Sequence, residues 1–161
     1  MTRRPRLDRS SLPGIVAAIG LVNVVGAAPA ALGGPNSTWF IALVKPSLYP
    51  PPWTFGVVWT TLFTLLGVAL YLVWDSESAQ RRLALGLFAT QMALNVVWTP
   101  TFFLAQNLVL ALVVILALLV AAGTTAAVFW RVDPRAGALL APYLLWIAFA
   151  ALLNYQFLAV N

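Results

Sequence analysis

The chain has neither cysteine nor histidine. It therefore has no disulfide framework, no thiolate nucleophile or thiolate metal ligand, and not the commonest base and metal ligand. Charge is also scarce. Only 8% of the 161 residues are charged, whereas soluble domains carry about 25%. With 62% of the residues hydrophobic, this composition belongs to a membrane protein.

What is present is a series of apolar spans at 12–32, 53–74, 83–105, 108–130 and 136–160. Each can cross ~30 Å of hydrocarbon at ~1.5 Å per residue as a helix. The spans predict an all-α integral membrane bundle of five transmembrane helices, a single domain over 1–161. Arginines, an apolar run and Ala28-Pro29-Ala30 also look like a secretory signal. The run is longer than a typical signal core, so the first span is expected to be kept.

All charged residues fall outside these spans, and their placement is asymmetric. Arg3, Arg4, Arg6 and Arg9, with Asp8 among them, precede the first span. Arg81 and Arg82 lie in the second loop beside Asp75 and Glu77, and Arg131 and Arg135 flank Asp133 in the fourth. Lys45 stands alone on the other side. Eight basic residues against one predict a cytoplasmic N-terminus, with the first loop and the C-terminus opposite. The net charge of +5 thus reports topology, and no nucleic-acid partner is expected. No span offers Asp, Glu, Lys, Arg or His. Proton-coupled carriers usually keep such a group, hydrolases need a base or a metal, and ion channels need charged rings. Catalytic and metal-binding residues of those kinds are absent from the spans.

The first loop is the least generic stretch, running WFIALVKPSLYPPPWTFGVVW from Trp39 to Trp59. Pro46 and Pro50-Pro51-Pro52 cannot continue a helix and bias their predecessors towards extended backbone. They predict a stiff, partly polyproline-like strap, with a helix beginning after Pro52. Trp39, Phe40, Tyr49 and Trp53 suit either a membrane–water interface or a lid over the mouth of the bundle.

Inside the spans the polar groups are amides and hydroxyls. Gln91, Asn95, Trp98 and Phe102 share one helix face, as do Tyr143, Trp146, Ala150 and Asn154. Trp53, Thr60 and Thr64 share a third, from which Trp59 points about 100° away, so periodicity leaves its direction open. Such groups serve interhelical hydrogen bonds or line a small-molecule pocket. Taken together they describe a site for a flat, apolar guest, made from Trp39, Pro51, Trp53, Asn95, Trp98, Tyr143, Trp146, Ala150 and Asn154, to which Trp59 belongs only if it faces inward. Pro100 and Pro142 predict kinks. Gly86 with Thr90 and Ala89 with Ala93 put small residues four apart on the third span, where a homodimer or the protein's own packing could use them.

Three motifs run in order: W-x5-KP-x4-PP-W-x5-W from Trp39 to Trp59, Q-x3-N-x2-W-x4-F from Gln91 to Phe103, and PYLLW-x3-A-x3-N from Pro142 to Asn154. In these the chain resembles the TspO/MBR family, the tryptophan-rich sensory proteins related to the mitochondrial translocator protein. The resemblance implies a five-helix bundle, often dimeric, whose first loop covers a pocket for porphyrins such as protoporphyrin IX and haem. No obligatory cofactor is implied. Trp59 and Trp146 match tryptophans implicated in porphyrin binding and in its light-dependent breakdown, which would face Trp59 inward and give both a redox role. Asn95 and Ala150 match pocket positions. Two departures stand out. Leu48 replaces a frequent tryptophan, and no Lys or Arg follows Arg135, which leaves the cholesterol motif of the animal proteins incomplete. Without His or Cys, haem iron lacks its usual axial ligands, so binding is expected to rest on stacking and shape.

Overall fold

A computed structural model describes residues 10–161. The arginines and Asp8 that open the chain lie outside the described residues. Helix α1 (Leu12–Ala27) runs into a 3-10 turn at Ala28–Ala31, followed by a short α2 (Thr38–Ala42). Then come α3 (Trp53–Trp74), α4 (Arg81–Phe103), α5 (Leu108–Val132), α6 (Pro134–Leu139) and α7 (Ala141–Val160). Among the described residues there is no strand, and five segments are long and apolar enough to cross a membrane.

Local chemistry sets the boundaries. The Ser37 hydroxyl accepts from the Phe40 amide to start α2, and the Asn107 side chain accepts from the Leu110 amide to start α5. The turn before α5 is tight enough that Gln106 takes a left-handed φ of 53°. Pro52 caps α3 as its position predicts. Asp133 accepts from the Arg135 amide to start α6 and pairs with the Arg135 guanidinium at 2.8 Å.

Two features add to the span pattern. The helices extend beyond the apolar spans, so Arg81 and Arg82 open α4, Arg131 sits in the last turn of α5 and Arg135 lies within α6. Long arginine stems let a helix continue while the guanidinium reaches the polar boundary. The two intramembrane prolines also behave differently. Helix α4 continues through Pro100, whereas near Pro142 the fifth span divides at Leu140 into α6 and α7. A proline in a first helical turn loses no hydrogen bond, so α7 can restart there.

Around the bundle the order is α1, α3, α6 with α7, α5, α4 and back to α1. The α1–α3 seam depends on Gly67, where an added Cβ would lie 2.5 Å from the Ile19 Cα. Beside it Asn23 donates to the Thr64 hydroxyl at 3.4 Å. The larger core runs through Leu66, Leu72, Ile115, Leu118, Phe129, Leu140 and Ile147, all buried. A smaller cluster of Phe40, Phe102, Ala111 and Phe157 joins α2 to the ends of α4, α5 and α7.

Candidate functional site

A cavity of about 380 Å³ opens between α1, α3, α4 and α7, with residues between Gly33 and Pro52 also in its lining. This lies within the about 300–1,000 Å³ usual for small-molecule sites. Helix α3 contributes Phe55, Gly56, Trp59, Thr60 and Phe63 to the wall. Helix α4 adds Asn95, Trp98, Thr99, Phe102 and Phe103, and α7 adds Trp146, Ala150, Leu153, Asn154 and Phe157. Asn23 and Gly26 face it from α1, and Phe40, Tyr49 and Pro52 close its end.

The rings form one connected wall. Trp59 stacks on Phe63 at 5.2 Å and meets Trp146 edge to face at 6.4 Å. Phe55 stands edge-on to Trp146 at 5.9 Å. Trp98 packs on Phe102 at 5.2 Å, and Phe102 continues to Phe40 and Phe157. Edge-to-face and offset contacts of this kind add about 0.5–1.5 kcal/mol each beyond area burial, so the rings hold one another in place.

Amides fix the wall from behind. Asn95 donates to the Tyr143 hydroxyl at 3.1 Å, tying α4 to α7. Asn154, 1% exposed, accepts from the Trp98 indole at 3.2 Å and donates to the Leu108 carbonyl at 3.0 Å. One side chain thereby joins α4, the start of α5 and α7, and holds the Trp98 ring against the cavity. The Trp146 indole nitrogen is buried with no hydrogen-bond partner among the described residues.

Among the described residues lining the cavity, the Tyr49 phenol is the one ionisable group. Partial burial pushes its pKa up from the ordinary value by disfavouring the phenolate. Lys45 turns back on its own segment. Its ammonium donates to the carbonyls of Phe40, Ile41 and Leu43 and lies 4.4 Å from the Phe40 ring centroid. A cation there satisfies the free carbonyls at the end of α2. No group of three potential metal ligands occurs among the described residues.

Of the residues singled out from the sequence, Trp59, Asn95, Trp98, Trp146, Ala150 and Asn154 meet at the cavity. Trp59 points inward, which periodicity left open. Tyr143 is fully buried just behind the wall, edge-on to Trp59 at 6.3 Å. Trp39 packs edge-on to Phe102 at 5.8 Å, outside the lining. Pro51 is exposed while its neighbour Pro52 reaches the cavity, and Trp53 is 70% exposed at the first residue of α3. Other wall residues went unread. Phe63 follows Trp59 by one helical turn, and Phe157 continues the Tyr143–Trp146–Ala150–Asn154 face, so both were within reach of periodicity. Asn23, the one amide of the first span, gave a weaker signal.

The TspO/MBR family model matches residues 18–160. Translocator protein of Sus scrofa is 42% identical over 125 residues, covering 76% of this chain and 74% of its own length. Tryptophan-rich protein TspO of Chlorobaculum tepidum is 39% identical over 146 residues, covering 89% and 92%. Tryptophan-rich sensory protein of Cereibacter sphaeroides is 34% identical over 140 residues, covering 82% and 87%.

Proposed function

Since the chain belongs to the TspO/MBR family and is a multi-pass membrane protein, we propose that it is a receptor or carrier for flat, apolar tetrapyrroles. Protoporphyrin IX and haem are the named candidates, with a sensory or regulatory role. The observation that supports this reading best is the cavity wall itself. Phe55, Trp59, Phe63, Trp98 and Trp146 offer flat faces and edges, and Asn95 and Asn154 back them with amides. Such a wall favours a planar guest held by stacking and shape. Residues 33–52 serve as a lid over the site.

Quenching of tryptophan fluorescence by protoporphyrin IX tests this. Saturable quenching in the native protein that weakens in both Trp59→Phe and Trp146→Phe supports it. Quenching unchanged in both variants would exclude this cavity.

A second reading is light- and oxygen-dependent breakdown of the bound porphyrin. The contact between Trp59 and Trp146 favours it, because two oxidisable indoles would border one guest. Illumination with dioxygen should then change porphyrin absorption only when intact protein is present. The charge bias supports a cytoplasmic N-terminus, with the first loop and the C-terminus on the opposite side. The outward face of α4, with Gly86, Ala89, Thr90 and Ala93 exposed, supports a homodimer packed through that helix.

A further inference from the structure

The segment over the cavity is fastened to the bundle in two different ways. One is a set of ring contacts: Phe40 meets Phe103 at 5.2 Å and Phe157 at 5.5 Å, and Tyr49 meets Phe157 at 5.8 Å. The other is polar and sits at a single residue. The Val44 amide donates to Asn161 Oδ1 at 2.9 Å, and Asn161 Nδ2 donates back to the Val44 carbonyl at 3.2 Å. The same Nδ2 donates to the Phe157 carbonyl at 3.0 Å, which fixes the direction of the carboxamide. Among the described residues, no other hydrogen bond ties residues 35–50 to one of the five spans or to the cap at its end.

Phe157 and Asn161 are four residues apart, so the end of α7 presents both on one face. Phe157 supports the rings of Phe40 and Tyr49, which line the cavity. Asn161 holds the backbone between those two rings. Ring contacts tolerate sliding, whereas a two-point amide pairing specifies one register. Both Val44 bonds are exposed, so water competes for them and each is weak on its own. A fastening of that kind can open without unfolding the helices beneath it.

We infer that Asn161 is the latch of the segment over the cavity, and that its opening at Val44 is the step through which the guest leaves. The latch stands on the apo geometry alone, and its effect on guest release rests on the tetrapyrrole reading above.

The test has two arms. In ligand-free protein in lipid nanodiscs, Asn161→Ala should speed hydrogen exchange of the Val44 amide about tenfold, while amides within α3 and α5 keep their native rates. Native exchange at Val44 would overturn the latch. In the second arm, protoporphyrin IX should leave Asn161→Ala severalfold faster than the native protein. Val44→Pro removes the same donor from the opposite side, and Leu43 already has φ −63° and ψ 143°, as a residue before proline requires. Because the Val44 carbonyl can still accept from Asn161, this variant should release porphyrin faster than the native protein but no faster than Asn161→Ala. Faster Val44 exchange with unchanged release would refute the gating role. Absence of porphyrin binding in the native protein would refute the tetrapyrrole reading, and the exchange arm would still decide the latch.

Discussion

Trp59 and Trp146 stand edge to face, their ring centroids 6.4 Å apart and their planes crossing at 88°. They come from α3 and α7, helices separated in sequence by three others. One indole presents its edge to the other's face while both border the same cavity. The pair has consequences for binding.

Trp59→Phe and Trp146→Phe keep an aromatic face but lose the larger indole surface. Each should weaken porphyrin affinity about three- to tenfold, in line with the worth of a single aromatic contact. Titrated fluorescence quenching, corrected for the lost fluorophore, measures it. A double variant that loses less than the sum of the singles would show that the rings act as a unit.

Tyr143→Phe leaves the Asn95 amide without its acceptor inside the bundle. Interhelical hydrogen bonds in membranes average about 0.6 kcal/mol, so the loss is modest. A chain of this size should lower its Tm by roughly 1–3 °C, read in a thermal melt in detergent. Asn154→Ala removes two bonds and frees the Trp98 ring, and should cost more in both stability and porphyrin affinity.

Gly67 and Gly20 form a matched pair of probes. An added Cβ at Gly67 would press on the Ile19 backbone, whereas at Gly20 it meets nothing within 4 Å. Gly67→Ala should force α1 away from α3 and destabilise by about 1–3 kcal/mol. Gly20→Ala should be neutral or slightly stabilising. Equal melting temperatures for the two variants would contradict the close approach.

Haem should bind within about threefold of metal-free protoporphyrin, since the chain has no His or Cys to ligate iron. Tyrosine is the remaining candidate, and the phenol lining the cavity at Tyr49 has its pKa raised by burial, away from the ligating phenolate. A haem affinity far above that of the free porphyrin, lost in Tyr49→Phe, would overturn this.

Much of the architecture was legible because lipid leaves a chain few choices. Only closed hydrogen-bonded elements cross a bilayer, so five long apolar spans had to be five helices. Pro52 marked the start of one of them by local chemistry. Periodicity placed Asn95 with Trp98, and Trp146 with Asn154, on single faces, and the structure turns those faces towards one another. The direction of Trp59 was not legible from spacing, because lipid and bundle interior are both apolar and a tryptophan suits either. For the same reason Trp53 read as a lining residue yet lies exposed. The partnership of Val44 with Asn161, 117 residues apart, leaves no periodic trace in the sequence.

Composition and span length by themselves determined a helical membrane bundle, since unpaired backbone polar groups are too costly in hydrocarbon for any open alternative. Charge placement supplied the bias from which its orientation is proposed. Which rings meet, which amides satisfy one another and where space is left between them were decided only by tertiary packing. Those relations depend on helix rotation and close approach, and Gly67 against Ile19 sets them at the α1–α3 seam through a contact between residues 48 positions apart.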